Sequence, residues 1–165
     1  MGSGISGSYQ NTRGSMLVPA SLDIIGDNND LFKRHMSRRR DVDVGGYLDI
    51  VAHGTSRKVR LTDANGHHDI GHRELARLIK NREDYKRKGV RLLSCETGKG
   101  VDPIAQDLTN KLGVPVKAPT ELFWGAPTGS HFVAEQLDIP GEPLPDYNKM
   151  GFFKTFYPGG NKNAR

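Results

Sequence analysis

Cysteine is almost absent from this chain: there is one, Cys95, in 165 residues. A single thiol closes no internal disulfide, so the fold does not depend on oxidation. Aromatic residues are scarce at 7%, and hydrophobic residues reach only 35%, low for so long a chain. With 20 Gly and 9 Pro, this balance predicts one domain with a compact centre, many turns and loose ends. No run approaches the roughly eighteen apolar residues that a membrane-crossing helix needs. No secretory signal opens the sequence, so export would require a carrier. Basic residues outnumber acidic ones, for a net charge of +5 and a pI near 9.4. That excess permits contact with nucleic acid or an acidic surface without establishing it.

The present features are unevenly distributed. Residues 1–15, MGSGISGSYQNTRGS, are Gly/Ser-rich, lack an apolar period and read as a flexible leader. Residues 16–165 read as a single domain whose core spans about 45–125. The segment from Met16 to Pro19 is expected to begin a short strand or to run as a merely extended segment, and the weakly patterned stretch from Leu22 to Phe32 is expected to turn helical near its end. The densest basic run, Lys33 to Arg40, is expected to be a solvated loop or helix face. A phosphate-binding patch or an exposed linker are its functional readings.

Tyr47 to Ala52 is short and apolar and predicts a buried strand. Lys58 to Thr62 alternates, and Asp63-Ala64-Asn65-Gly66 is a turn signal, together predicting a hairpin arm. Leu75, Ala76, Leu78 and Ile79 form a stripe on a helix from about Gly71 to Asp84. Val90 to Ser94 is the next strand. Asp102 and Pro103 are placed to cap a helix that ends at Gly113. Val114 to Ala118 is a third strand, and the remainder from Pro119 reads as turn-rich with aromatic patches at Phe123-Trp124 and Phe152-Phe153. The order strand, helix, strand, helix, strand predicts an α/β fold with parallel crossovers.

Two of these strands end alike. The first runs into His53-Gly54 and the second into Cys95. Open α/β sheets place their chemistry at that edge. A thiol needs a base to become a nucleophile, and His53 and Cys95 lie 42 residues apart, room for one crossover. Parallel neighbours would bring their tips within about one strand spacing, roughly 5 Å, or two spacings if a strand intervenes. Gly54 would let a carbonyl approach the backbone, and the N–H groups of Gly54 and Cys95 could form an oxyanion site. Glu96 to Gly100 reads as a flexible loop beside a substrate cleft. Asp49 shares the face of His53; it is an orienting carboxylate on one reading, and the pair acts as a two-member dyad on the other. A buried structural thiol beside a simple His-Gly turn remains the plain alternative.

Leu48-Asp49-Ile50-Val51-Ala52-His53-Gly54, followed by Val90-Arg91-Leu92-Leu93-Ser94-Cys95, resembles the clan CD cysteine peptidases. The resemblance implies the caspase-like fold: an open, mostly parallel sheet flanked by helices in three α/β/α layers. It is nearest to the peptidase domains of large secreted bacterial toxins and the C-terminal domains of polymorphic toxins. The stretch from Ala105 to Thr120 is also similar to those domains, so the resemblance covers roughly Tyr47 to Trp124. It implies Cys95 and His53 as the catalytic dyad and Gly54 within the oxyanion site. It further implies a secreted effector acting in the target-cell cytoplasm on a protein substrate, with a larger carrier polypeptide and an immunity protein as partners. The paired basic residues of the caspase specificity pocket have no match here. Some toxin peptidases bind inositol hexakisphosphate through basic clusters, a role Lys33 to Arg40 would fill. No other cofactor is implied.

His67, His68 and His72 cluster before the first crossover helix. His68 and His72 have zinc-like spacing, but Gly71 intervenes and no Glu stands in the HExxH position, so an exposed polar loop is expected and no metal. A metal-independent ribonuclease toxin is the runner-up. It would pair His53 with His131 or His72, aided by Arg57 or Lys58. A caspase-like module that only binds its target is the third reading.

Overall fold

Apart from its hairpin, the chain folds as two sheets joined through one buried face. The structure, a computed structural model, describes residues 18–19, 31–42, 44–63, 65–83, 85–141 and 143–159. The leader expected at 1–15 lies outside these residues. The first elements are β1 (Val18–Pro19), α1 (Leu31–Met36), β2 (Tyr47–Val51), β3 (Val59–Asp63), β4 (Gly66–Ile70), α2 (His72–Lys80) and β5 (Gly89–Leu93). They are followed by α3 (Ile104–Leu112), β6 (Val116–Pro119), β7 (Leu122–Gly125), β8 (His131–Gln136), β9 (Pro145–Met150) and β10 (Phe153–Phe156).

The fold is mixed α/β around a mostly parallel sheet ordered β10-β6-β5-β2. β2, β5 and β6 are parallel, and β10 pairs antiparallel with β6. β2 and β5 are apolar on both faces because both are covered. On one face Leu48, Ile50, Val90, Leu92 and Val116 pack against Leu75, Ala76 and Ile79 of α2 and Ile104, Leu108 and Leu112 of α3. On the other, Val51, Leu93 and Cys95 pack against Phe32 and Met36 of α1, Phe123 of β7 and Val133 of β8. That second cover is a short helix and an antiparallel sheet, ordered β1-β7-β8-β9, where a helical layer was expected.

Other local differences have physical causes. α2 stops at Lys80 rather than near residue 84: Asn81 holds the C-cap, its N–H donating to Arg77 O (3.2 Å), and Arg82 N–H turns back to Ile79 O (3.0 Å). Asp102 does not cap α3; its carboxylate accepts from Arg57 (3.0 Å), and Pro103 holds the cap position. The first N–H groups of α3 are satisfied by loop carbonyls: Ile104 donates to Ser56 (2.7 Å) and Ala105 to Thr97 (3.1 Å). Gly113 closes the helix in the left-handed conformation, as its sequence position predicts. The segment after Pro119 is not a string of turns but four strands, β7 to β10. β9 carries little apolar alternation and is held by its pairing with β8.

Candidate active site

The strand register brings His53 and Cys95 together. Tyr47 lies beside Gly89, Asp49 beside Arg91 and Val51 beside Leu93, so each residue of β2 faces one 42 positions later. The same offset separates His53 from Cys95. Both lie two residues past the last pair and project to the face of Val51 and Leu93. The strands remain adjacent there. Ala52 N–H donates to Leu93 O (3.3 Å), and a Cβ placed on Gly54 would lie 2.1 Å from Ser94 Oγ and 3.2 Å from Cys95 O. The two strand ends that carry His53 and Cys95 therefore lie about one strand spacing apart.

Gly54 fits this junction because it has no side chain. It faces Val59 across an isolated antiparallel bridge, whose bonds run from Thr55 N–H to Lys58 O and from Arg60 N–H to His53 O. The Gly54 N–H makes no backbone hydrogen bond among the described residues, as an oxyanion donor would require.

The thiol is enclosed. Cys95 is 0% exposed and His53 8%. Cys95 Sγ accepts from Phe123 N–H at 3.1 Å and lies 3.7 Å from Phe123 O. The His53 ring packs on Phe32, centroid to centroid 5.5 Å, and Phe32 meets Phe123 edge-on at 5.7 Å.

The loop after the thiol is pinned, contrary to the expected flexible segment. Glu96 N–H donates to Glu121 O (2.9 Å), Gly98 N–H to Pro119 O (2.8 Å) and Thr97 Oγ1 to Ser94 O (3.0 Å). The Glu96 side chain pairs with Lys99 (3.3 Å), which also reaches Glu121 (2.9 Å). Glu96 itself is held at φ 58, left-handed backbone for a non-glycine directly after the candidate nucleophile, a strain that clusters at functional sites.

Asp49 does not orient His53. It stands four residues back along the strand, roughly 13 Å away, and its carboxylate is taken by other groups. Arg39 Nε donates to Oδ2 (2.9 Å), Arg91 Nε to Oδ1 (2.7 Å) and Arg91 Nη2 to Oδ2 (2.7 Å). Arg91 Nη1 continues to Asp41 Oδ2 (2.8 Å), where His131 Nε2 also bonds (2.8 Å). Burial pushes the Asp41 carboxyl up, but the Arg91 hydrogen bond and the neighbouring His131 outweigh it and hold the group at about 2. Burial lowers His131 below its ordinary 6.5, against the pull of Asp41. His131 and Asp41 help line an open pocket of about 520 Å³ with Arg40, Thr128, Gly129 and Ser130.

This ionic chain corrects the reading of Lys33 to Arg40 as a continuous solvated run. Lys33, His35 and Arg39 are buried, while Arg38 and Arg40 are exposed. The signal was in the sequence: Phe32, Met36 and Arg39 share one helical face, and Asp49 and Arg91, also 42 apart, are lone charges in apolar strands that demand partners.

His67, His68, His72 and His131 do not converge on the pair. His67 and His68 lie exposed on β4, so His68 and His72 share no helix. His72 Nδ1 is 3.9 Å from Asp107 of α3. His131 stacks on Phe123 (5.1 Å), and Phe123 and Phe32 stand between it and His53. Among the described residues, no cluster of three His, Cys, Asp or Glu is placed to hold a metal. None of their helices is long and apolar enough to cross a membrane.

No curated protein and no solved structure matches the chain. Residues 20–133, about two thirds of its length and including both strand-end motifs, match the model of a family described as "Domain of unknown function (DUF8616)". The chain belongs to the DUF8616 family.

Proposed function

We propose that this chain is a caspase-like cysteine endopeptidase in which Cys95 is the nucleophile and His53 its base. The observation that carries the reading is the shared 42-residue offset. The register that pairs β2 with β5 supports this reading, because it carries the His53 and Cys95 positions to the same C-terminal edge of a parallel sheet.

The chemistry follows from the groups present. His53 takes the proton of Cys95 Sγ, and sulfur bonds to the scissile carbonyl carbon as the C=O π pair moves onto oxygen. We assign the oxyanion to the Gly54 and Cys95 amides. Collapse breaks the C–N bond while imidazolium returns its proton to the leaving amine. Water then attacks the thioester, giving its proton to His53. The C–S bond breaks, releasing the acid and regenerating the thiol. Asp49 is committed to its arginines, so the pair works as a dyad.

The role as a secreted effector domain of a bacterial toxin, with a protein substrate, a carrier polypeptide and an immunity partner, rests on the likeness of the two strand-end motifs to toxin peptidases. The burial of Cys95 favours a second reading, a caspase-like module that binds its target without cleaving it. A peptidyl acyloxymethyl ketone distinguishes them. The peptidase reading predicts one adduct, on Cys95, that requires His53 and is lost in His53→Ala. Labelling of equal rate in both forms, or of neither, supports the binding module.

A further inference from the structure

We propose that α1 is an autoinhibitory strap: Phe32 closes the Cys95–His53 pair, Arg39 anchors the strap's far end, and activation lifts Leu31–Met36 off the site. The inference rests on the reading of Cys95 and His53 as the working pair, and it assigns their regulation.

The covering groups lie on the helix. Phe32 and Met36 are fully buried in the cluster that contains Cys95, Val51, Leu93 and Phe123. Phe32 is the ring against which His53 packs, and its edge meets Phe123, whose N–H holds the thiol. A substrate carbonyl has no path to sulfur while these rings are in place, because Cys95 is wholly enclosed.

The anchor lies beyond the helix and is of different chemistry. Arg39 is ion-paired to Asp49 with both side chains 1% exposed, and its Nη1 donates to Met36 O (2.8 Å). Arg38 Nη1 donates to Pro127 O (3.2 Å). A Cβ on Gly129 would lie 2.3 Å from the Arg38 carbonyl carbon, so the β7–β8 turn is clamped onto this backbone. The strap is thus fixed at residues 38–39 and closed at residues 32–36 by apolar packing. Its helix has six residues, too few to persist without the surface beneath it. Such an element opens locally at less cost than the sheet it covers.

Cys95 is the sole thiol, so its labelling by iodoacetamide reports the opening directly. The full chain is labelled under native conditions and at rising urea below the unfolding transition. The strap predicts slow labelling with a urea slope well below that of global unfolding. It predicts that Phe32→Ala accelerates native labelling on the order of a hundredfold, whereas Ile79→Ala, in the opposite core, leaves it within about threefold. Phe32→Leu, which keeps most of the packing volume, is expected to accelerate it by a smaller factor. A urea slope equal to that of global unfolding, or equal acceleration by Phe32→Ala and Ile79→Ala, overturns the strap. The readout does not require peptide cleavage. Fast labelling in Phe32→Ala without any cleavage of protein would sink the peptidase reading, and with it autoinhibition, while leaving α1 as the cover over Cys95.

Discussion

Gly54→Ala tests the packing that joins the strand ends carrying His53 and Cys95. The added methyl would sit 2.1 Å from Ser94 Oγ, 3.1 Å from Thr97 Cγ2 and 3.2 Å from Cys95 O. All three neighbours are buried, so the strand end or the Ser94–Cys95 turn must shift. Overpacking of this kind costs about 1–3 kcal/mol. Taking 2–3 kcal/mol, the melting temperature should drop by roughly 5–10 °C for a chain of this size. Ser94 supplies the control. Its Oγ is buried without a hydrogen-bond partner, so Ser94→Ala alone should be close to neutral or slightly stabilising. In the Gly54→Ala background, the same change removes the closest clash and leaves two tight contacts that small shifts can absorb. The double variant should therefore recover about 1–2 kcal/mol, read as the coupling energy of a double-mutant cycle from urea unfolding. The emission of Trp124, the sole tryptophan and fully buried, reports the transition. A Gly54→Ala cost under about 0.5 kcal/mol, or the same cost with and without Ser94 Oγ, would refute the close approach of the two strand ends.

Three other outcomes follow from the ionic chain. Asp49→Asn leaves Arg39 and Arg91 facing a neutral amide in a buried site, an expected loss of about 3–5 kcal/mol in urea unfolding; a loss under about 1 kcal/mol contradicts the assigned network. Asp41 is held at about 2, below its ordinary 3.8, so the stability it contributes is present above pH 4 and lost as pH falls towards 2. Asp41→Asn should flatten that limb of the stability profile. His131 is lowered by burial, so below about pH 6.5 the unfolded chain gains the proton first and stability declines. His131→Gln should weaken that decline, and an unchanged slope counts against a buried neutral imidazole.

The central sheet and the pairing of its β2 and β5 ends were legible because parallel pairing writes itself into sequence. Two apolar strands of equal length, separated by one crossover, fix their register through their side-chain faces, and the residues at their tips come along. Asp49 and Arg91 obeyed the same rule unnoticed. The orienting reading of Asp49, one of the two its position allows, overlooks that its register partner is a guanidinium. Arg39 was masked by its neighbours, since a basic run looks solvated until the helical spacing of Phe32, Met36 and Arg39 is considered. The second sheet was hidden for another reason. β8 and β9 have weak alternation, and their identity comes from cross-strand partners that composition does not disclose. The enclosure of Cys95 is likewise a tertiary fact, created by rings contributed from α1 and β7 far away in the chain.

The account stands most directly on protein cleavage by the intact chain and its Phe32→Ala form, with new N-termini identified by mass spectrometry on an unfolded protein substrate. It predicts cleavage at defined bonds, greater for Phe32→Ala, and its abolition by Cys95→Ala or by His53→Ala in proteins whose Trp124 emission shows them folded. Cleavage that persists without the Cys95 thiol, or no cleavage by either thiol-bearing form, would contradict it.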